Sequence, residues 1–346
     1  MKINNKQISV NHPPFIIAEI SANHNNSLKR TLKLVKEAKK AGADAIKLQT
    51  YTAESLTLDT NKSQFIINDK KSLWYKKSLF DLYSKGALPK GFYKEIFKEA
   101  QKNEIICFSS PFDEDSVDYL MKFKVPAFKI ASFENSHFPL IKKVISKKKP
   151  LIISLGATTY NEISYLYKFL KNRKFNNFAF LQCTSSYPAS IEESNVKTII
   201  ELRKKFKIEI GLSDHTPGIG AAISAISCGA SIIEKHFTLD KSAGGLDDKF
   251  SMEPDEFNLL VKECKNAWLS LGRVYFGLTK AEKRHKVFKR SIYAKKNIKK
   301  GDRFSKKNIT IIRPNYGLEP KYYNKLLGKF AKRNINYASP LKKKDM

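Results

Sequence analysis

Short apolar runs alternate with helical patterns along most of the chain, and polar residues separate the two. Each run has the length and β-branched content of a buried strand, and each following segment spaces its apolar residues along one helix face. The strands are predicted to begin near residues 15, 45, 105, 127, 151, 178, 208 and 231. Eight strand–helix units in about 260 residues match the number and size of a (β/α)8 TIM barrel. A doubly wound sheet is the alternative, but no GxGxxG follows the first strand, so dinucleotide binding has no support.

The predicted helices follow the strands in order. Capping residues, glycines and apolar spacing place them at 27–40, 90–102, 115–122, 139–147, 160–171, 193–206, 219–228 and 254–271. Residues 51–88 interrupt this order as an aromatic and lysine-rich insertion, which we interpret as a lid or a partner contact. The barrel domain is predicted to span residues 1–275.

The unit between residues 208 and 236 shows the pattern most clearly. One strand runs into His215, a short helix follows, and the next strand ends in His236. Because parallel neighbouring strands bring their carboxyl ends together, we expect the two imidazoles to face each other and to share a metal ion. Asp214 and Glu234 flank the pair and strengthen that prediction.

Polar residues end the other predicted strands as well, which is where barrel enzymes carry their chemistry. Lys129 differs from these because it lies inside a buried strand, between Phe128 and Ile130. An unpaired ammonium there would be destabilising, so we expect Lys129 to have an anionic partner.

The pattern changes after the last barrel helix. Residues 276–289 are polar and basic and are interpreted as a linker, and residues 290–346 as a small β-rich domain with strands near 290–294 and 309–313. A region of this size buries little apolar surface, so we expect it to dock against a partner.

The net charge of +31 raises the possibility of nucleic-acid binding. Only nine of the 64 basic residues are arginines, and the lysines are spread over every predicted helix, which is typical of solvated faces. No zinc finger or RNA-binding motif is present, so a nucleic-acid-binding protein remains a distant alternative. The four cysteines are scattered and are expected to be reduced thiols. No signal-peptide pattern or membrane span is found, so we expect a cytoplasmic enzyme with no membrane partner.

Several motifs resemble one known family in order and spacing. FIIAEISANHNNS, AGADAIKLQTY, SSPFD, FKIAS, QCTSSYP, GLSDHTPGIG and IEKHFTLD resemble the sialic acid synthase (N-acetylneuraminate synthase) family. RSIYAKKNIKKGD and IRPNYGLEPKY resemble its C-terminal antifreeze-like (SAF) domain, with Asn315 where the family usually has glycine. LQCTSSYPA, SAGGLDDKFSMEPDEF and PNYGLEPKYY are most similar to the pseudaminic acid synthase branch.

The resemblance implies condensation of phosphoenolpyruvate with an open-chain N-acetylated amino sugar, which releases phosphate by C–O cleavage. The branch implies 2,4-diacetamido-2,4,6-trideoxy-altrose as the sugar and pseudaminic acid as the product. N-acetylneuraminate and legionaminate synthases are the alternatives. A synthase for a deoxy sugar-acid phosphate would need an extra basic cluster, and no arginine in the barrel is placed for one.

The resemblance also implies roles for individual residues. A divalent Mn2+ or Mg2+ would be held by His215 and His236, although two imidazoles would equally suit zinc. Glu134 is the first candidate for the general base and Glu19 the second carboxylate, with Asn23 and His24 following Glu19 on the same loop and bracing it. Phosphoenolpyruvate, a trianion, would contact cations and hydroxyls at the strand ends: Lys47, Ser110, Lys129, Ser132, Ser154, Thr184 and Ser213. The sugar would contact Gln49, Tyr187 and Asp247.

The last implication concerns the SAF domain. In the resembling family this domain covers the barrel mouth of the other protomer, and an arginine contacts the N-acetyl group of the sugar. Arg313 lies in a loop suited to that role. We therefore expect a domain-swapped homodimer in which Arg313 comes from the partner protomer, and a domain packed on its own barrel is the alternative.

Overall fold

Eight parallel strands close into a barrel in the computed structural model of this protein, which describes residues 1–70 and 72–346. A short antiparallel pair, β1 (Lys2–Ile3) and β2 (Lys6–Gln7), precedes them. The barrel strands are β3 (Phe15–Glu19), β4 (Ala45–Thr50), β5 (Ile106–Pro111), β6 (Phe128–Ile130), β7 (Leu151–Ser154), β8 (Phe178–Cys183), β9 (Glu209–Asp214) and β10 (Ile232–His236). Each strand pairs with the next in the chain, and β10 pairs with β3 to complete the ring. The predicted (β/α)8 barrel is confirmed.

Helices connect consecutive strands on the outside of the barrel. They are α1 (Leu28–Lys40), α2 (Ala53–Leu56), α3 (Leu79–Gly86), α4 (Tyr93–Lys102), α5 (Glu114–Met121), α6 (Phe138–Ser146), α7 (Tyr160–Asn172), α8 (Thr198–Phe206), α9 (Gly220–Ser227) and α10 (Pro254–Leu271). Helices α2 and α3 belong to the insertion between β4 and α4. Within the described residues, no helix is long and apolar enough to cross a membrane.

Local sequence explains where these helices begin. The Ser27 side chain accepts a hydrogen bond from the backbone of Arg30 and caps α1. Thr159 and Glu162 form a reciprocal capping box at the start of α7. The sequence places the start of α8 too early, at residue 193. Asn195 has a left-handed backbone (φ 45) and its amide donates to the carbonyl of Glu193, so the regular helix begins only at Thr198.

The two faces of the barrel strands form separate apolar clusters. One face packs against the helices, whereas alternate residues of the same strands fill the lower barrel together with Ile3 and Ile8. At Gly211, a Cβ would come within 2.4 Å of the carbonyl oxygen of Ile232, so the interior leaves no room for a side chain there. Toward the carboxyl ends of the strands, the inward-facing residues become polar. Glu19 follows Ile17 on the inward face of β3, and Lys129 follows Ala127 in the same way at β6. The polar end of the interior is therefore the carboxyl end of the strands.

Residues 273–346 form a second compact unit. Strand β11 (Ser291–Ala294) pairs antiparallel with β12 (Ile309–Ile312), and a short helix, α12 (Tyr323–Leu326), follows. The unit has its own apolar core, which includes Ile292, Phe304 and Leu341. The segment interpreted as a linker contains an exposed helix, α11 (Lys280–His285), which begins at a capping box of Thr279 and Glu282.

Candidate active site

Two buried lysines and two buried glutamates meet at the carboxyl end of the barrel. Lys129 Nζ donates to Glu234 Oε1 at 2.7 Å, and Lys47 Nζ lies 3.5 Å from the same oxygen. Lys47 Nζ also lies 2.7 Å from Glu19 Oε2, as an ion pair whose angles fall outside those of a hydrogen bond. All four side chains are almost fully buried. The anionic partner expected for Lys129 is therefore present in the chain itself, as Glu234.

The cluster holds its members in defined charge states. Burial alone would raise the pKa of Glu234, but the ammonium groups of Lys129 and Lys47 outweigh it and hold that pKa at about 2. Burial raises the pKa of Glu19, and the negative charge of Glu234 adds to the increase against the opposing effect of Lys47. The cluster thus contains one firmly ionised carboxylate and one that accepts a proton more readily.

His215 and His236 lie side by side at the ends of β9 and β10, with ring centroids 5.3 Å apart. Nδ1 of His215 lies 2.9 Å from the carbonyl oxygen of Thr184, an arrangement in which Nδ1 carries the proton and Nε2 keeps its lone pair. Nδ1 of His236 is buried with no hydrogen-bond partner. Burial and the neighbouring His215 hold the pKa of His236 well below its usual range, which keeps this imidazole neutral as a metal ligand must be.

The two histidines fit a divalent cation with open coordination positions. No group of three or more His, Cys, Asp or Glu side chains with metal-ligand geometry occurs in the described part of the chain. A cation held by His215 and His236 would take its remaining ligands from water or substrate oxygens.

Glu134 follows β6 in a short 3-10 turn and opens on the main cavity of the site. Its Oε2 atom is buried without a hydrogen-bond partner. Burial raises the pKa of Glu134 to about 7, although its own backbone and the charge of Lys47 act in the opposite direction. A carboxyl group with this pKa can exchange a proton at neutral pH.

The cavity has a volume of about 520 Å3 and combines strand ends with the insertion after β4. The predicted sugar ligands Gln49, Tyr187 and Asp247 all line it, together with His236 and Glu134. Asp247 accepts hydrogen bonds from the hydroxyl of Ser21 and from the backbone of Ala22, and burial raises its pKa. Tyr187 packs against His215 with ring centroids 4.4 Å apart.

The hydroxyl groups predicted to bind phosphoenolpyruvate have different partners. Ser213 Oγ donates to Glu234 at 3.0 Å, and Ser110 Oγ accepts from Lys47 at 3.3 Å, so both join the charged cluster. Ser154 Oγ is buried without a partner. Ser132 lines the cavity, and its Oγ accepts from the backbone of Gly156 at 3.2 Å. The hydroxyl of Thr184 instead donates to the carbonyl of Glu193, so this residue contributes to the site through its backbone contact with His215.

Asn23 and His24 hold the loop after β3, whereas the Glu19 carboxylate accepts its backbone hydrogen bond from Ser21. The amide of Asn23 donates to the carbonyl of Phe237 and to Ser251, and thereby ties this loop to the loop after β10. Nε2 of His24 lies 3.1 Å from the carbonyl oxygen of Gly86, and burial lowers the pKa of His24 to about 4. Both residues therefore affect the site by fixing the backbone of the loop after β3.

Arg313 belongs to the second unit, where it is exposed directly after β12. The following loop is held by bonds from Ser291 Oγ to the carbonyl of Pro314 and from the Asn315 backbone to the carbonyl of Val287. The guanidinium is thus carried on an ordered loop and is accessible.

Sequence reasoning missed the central position of Glu234, which it treated only as a neighbour of the metal ligands. Glu234 lies two residues before His236, so strand alternation places both side chains on the same inward face. It also missed the buried pair of Asp214 and Lys235, whose Oδ2 and Nζ atoms lie 2.6 Å apart. Asp214 directly precedes His215 and Lys235 directly precedes His236. Their side chains therefore lie on the outward face of β9 and β10, opposite to the histidines.

Unsatisfied buried polar atoms concentrate at this end of the barrel. Within residues 1–70 and 72–346, seven buried side-chain atoms lack a hydrogen-bond partner. Apart from that of Ser164, they belong to strand ends or to the loops that follow: Glu19, Asn23, Glu134, Ser154, Glu234 and His236, of which Glu19 already has an ion pair with Lys47. Buried polar atoms are normally paired, so such a concentration marks a place where a ligand supplies the partners.

Comparisons with known proteins identify the family of this chain. Residues 34–275 match the NeuB family, and residues 289–346 match the SAF domain. The chain is 46% identical over 331 residues to pseudaminic acid synthase of Campylobacter jejuni subsp. jejuni serotype O:2, with 96% of each chain covered. It is 36% identical over 323 residues to N,N'-diacetyllegionaminic acid synthase of the same strain, covering 92% of this chain and 96% of that one.

A solved structure shares the fold as well. N-acetylneuraminic acid synthetase from Leptospira borgpetersenii serovar Hardjo-bovis, in complex with citrate, superposes with a TM-score of 0.73 at 30% identity. The match covers 82% of this chain and 94% of that chain.

Proposed function

The chain belongs to the NeuB family and ends in a SAF domain, and from this premise we propose that it is a pseudaminic acid synthase. The reaction joins C3 of phosphoenolpyruvate to the aldehyde carbon of 2,4-diacetamido-2,4,6-trideoxy-altrose. Water adds to C2 of the former phosphoenolpyruvate, and phosphate leaves with the bridging oxygen. The protein is then a transferase that makes a nonulosonic acid.

The observation that carries this proposal is the cluster of unpaired polar atoms at the carboxyl end of the barrel. A carboxylate, a serine hydroxyl and an imidazole lie buried there without partners, as Glu134, Ser154 and His236. These are the groups needed to activate water, to hold an anion and to bind a cation. The higher identity to the pseudaminic than to the legionaminic acid synthase of one organism supports the choice of sugar.

Phosphoenolpyruvate binds at the charged cluster in this proposal. An ammonium group has three donors, and the bond from Lys129 to Glu234 leaves further donors for an incoming anion. Ser110 and Ser213 already lie within the cluster, while Ser132 and Ser154 add hydroxyls on neighbouring strands. Glu234 offsets part of the positive charge of the two lysines, and the hydroxyl groups add further contacts for phosphate and carboxylate oxygens.

Two carboxyl groups move protons in the proposed reaction. Glu134 takes a proton from the water that adds to C2, a role that suits its pKa of about 7. Glu19, whose pKa is raised by burial, delivers a proton to the alkoxide formed from the sugar aldehyde. Gln49, Tyr187 and Asp247 orient the sugar hydroxyl and amide groups in the cavity.

His215 and His236 would hold the divalent cation, for which we propose Mn2+ or Mg2+. When bound, the cation supplies Lewis acidity toward the aldehyde oxygen of the sugar. His215→Ala and His236→Ala should each abolish turnover while the melting temperature stays within a few degrees. A chelated protein that keeps full activity would contradict the assignment.

We further propose that the active form is a homodimer in which Arg313 of one protomer contacts the sugar bound by the other. Arg313 is exposed on its ordered loop. Exposed apolar side chains near the junction of the two units, including Phe276, Leu269 and Val274, offer surface for self-association.

A phosphate-release assay tests the proposed activity. The full chain is incubated with phosphoenolpyruvate, Mn2+ and a panel of N-acetylated sugars, and products are identified by mass. We expect the 2,4-diacetamido-2,4,6-trideoxy sugar to be used far better than N-acetylmannosamine. Equal use of both sugars would exclude the pseudaminic branch, and preference for another diacetamido sugar would favour a legionaminate synthase.

A further inference from the structure

The active-site cavity is lined by polar groups, mainly from the barrel, and by apolar groups, mainly from the insertion after β4, where Asp69 and Ser72 also line it. Barrel strand ends and the loop after β10 supply polar groups, among them Gln49, Glu134 and Asp247. The apolar groups come mainly from the insertion after β4 and from Leu246: Leu56, Ile67, Trp74, Leu79, Leu82 and Leu246. Most of these apolar side chains are half-buried, so they present surface to whatever fills the cavity.

Trp74 fixes this apolar lining in place. Its indole Nε1 donates to the carbonyl oxygen of Leu246 at 3.3 Å, which connects the insertion to the loop after β10. The indole ring meets Phe250 edge to face with centroids 6.4 Å apart, and it lies 6.2 Å from the ring of Tyr187. Because the indole N–H is already bonded, the ring offers the cavity carbon surface and no free donor.

Leu246 contacts the insertion at Gly86, where the absence of a Cβ makes room for the hydroxyl of Tyr51. A Cβ at Gly86 would lie 3.4 Å from Leu246 Cδ1 and 2.7 Å from the hydroxyl oxygen of Tyr51. The leucine side chain therefore packs over the end of α3, next to Trp74. Asp247 follows it directly and faces Ser21, so adjacent residues of one loop supply one apolar and one polar contact.

The chemistry of the proposed sugar matches this division. Its acetamido groups carry N–H and C=O and suit the polar groups of the cavity, whereas its C6 methyl group has no polar atom. An unpaired hydroxyl buried against carbon surface is unfavourable, and a buried methyl group is favourable. We infer that Trp74 and Leu246 are specificity-determining residues that form an apolar subsite for the C6 methyl group. This inference rests on the proposed function and concerns its substrate selectivity.

Two sugars that differ by a single hydroxyl test the inference. The substrates are the 2,4-diacetamido-2,4,6-trideoxy sugar and its analogue with a hydroxyl at C6, each assayed for kcat/KM with the full chain. We expect the wild type to prefer the deoxy sugar by roughly 10- to 100-fold, the range typical of apolar pockets. Trp74→Ala and Leu246→Ala should lose most of this preference, mainly through a higher KM for the deoxy sugar.

Control variants distinguish an effect on sugar selectivity from an effect on folding. Leu73 is the exposed neighbour of Trp74 and does not line the cavity, so Leu73→Ala should keep the wild-type preference. Trp74→Phe preserves an aromatic surface and should retain most of the preference for the deoxy sugar. If Trp74→Ala and Leu246→Ala reduce kcat/KM equally for both sugars, the residues act only on stability and the inference is wrong.

A binding measurement distinguishes failure of the subsite from failure of the proposed function. The chain has two tryptophans, so Trp268→Phe leaves Trp74 as the sole fluorescent indole. Without phosphoenolpyruvate, the deoxy sugar should change the Trp74 emission and bind roughly tenfold more tightly than its C6-hydroxyl analogue. If neither sugar is turned over but this difference in binding is seen, only the proposed reaction fails. Equal binding of the two sugars, or no change in emission, would overturn the subsite.

Discussion

Among single side chains, Glu134 has the clearest chemical assignment. Its Oε2 is buried without a partner, and burial raises its pKa to about 7. Other carboxylates nearby are committed elsewhere, since Glu234 is bonded to Lys129 and Asp247 to Ser21. Glu134 is therefore the carboxylate most available to a water molecule in the cavity.

Replacing Glu134 by Gln should remove the base and leave substrate contacts largely intact. We expect kcat to fall by about 10² to 10⁴ with a modest change in KM. In the wild type, kcat/KM should rise with pH through about 7, because the base acts only when ionised. A Glu134→Gln variant with near-normal kcat would assign the base elsewhere, and Glu19 is then the next candidate.

The same substitution has a predicted effect on stability. The pKa of Glu134 is about 7 in the folded protein, against an ordinary value of 4.5. Between these two values the folded state binds more protons than the unfolded state, so this group makes stability fall as pH rises through the window. Glu134→Gln should therefore melt at a higher temperature than the wild type at pH 8, with the difference shrinking toward pH 5. A difference in melting temperature that does not vary with pH would contradict the assigned pKa.

At the scale of elements, strands β9 and β10 carry the two histidines of the proposed metal site. Their inward faces carry Ser213, His215, Glu234 and His236, and their outward faces carry the buried pair of Asp214 and Lys235. Lys235 Nζ also donates to the carbonyl of Thr216 at 2.5 Å. The outward pair thus ties together the two strand ends that hold the imidazoles.

Breaking this pair should destabilise the barrel. Lys235→Met leaves Asp214 buried without its cation, for which we expect a loss of about 3 to 5 kcal/mol in the free energy of unfolding. The double variant Asp214→Asn, Lys235→Met removes both charges and should recover part of that loss. Denaturant unfolding of Asp214→Asn, Lys235→Met and the double variant measures the coupling, and losses that simply add would show that the two charges do not depend on each other.

Strand positions could be predicted from sequence because each strand combines a short apolar run with a polar end. All eight barrel strands begin within one residue of the prediction. Helix α8 was placed less well because the helical pattern continues through Asn195, where the backbone turns left-handed. Local pattern therefore determines the order of elements more reliably than their exact ends.

Only part of the candidate site could be predicted from the sequence, because some of its contacts join residues that are far apart in the chain. His215 and His236 stand out because they end neighbouring strands, and Glu134 because it follows a strand directly. The contact between Lys129 and Glu234 joins residues 105 apart in the chain, and it exists only once the barrel closes. The side-chain direction of Thr184 likewise depends on the carbonyl of Glu193, which no spacing rule indicates.

At the scale of the whole molecule, the net charge bears on substrate binding and the exposed apolar side chains bear on self-association. A net charge of +31 favours the approach of a trianionic substrate by long-range attraction. The exposed side chains of Phe276, Leu269 and Leu271 would be covered in a self-associated form. In the proposed homodimer, Arg313 of one protomer would contact the sugar in a cavity whose lining, over the described residues, includes no arginine.

Mixing two inactive variants tests this arrangement. Arg313→Ala and His236→Ala proteins are combined under conditions that allow subunits to exchange. A mixed dimer then has one site with both residues intact, so about a quarter of wild-type activity should return. Labelled subunits serve as the control for exchange. A mixture that exchanges and stays inactive would mean that Arg313 serves its own barrel.

Isotope labelling follows the bonds that the proposed reaction makes and breaks. Phosphoenolpyruvate labelled with 18O in its bridging oxygen is incubated with the protein, Mn2+ and 2,4-diacetamido-2,4,6-trideoxy-altrose, and both products are analysed by mass spectrometry. We predict one labelled phosphate for each sugar consumed, and an unlabelled nonulosonic acid whose new oxygen comes from water. Label retained in the organic acid, or phosphate released without any sugar, would contradict C–O cleavage during condensation at this barrel.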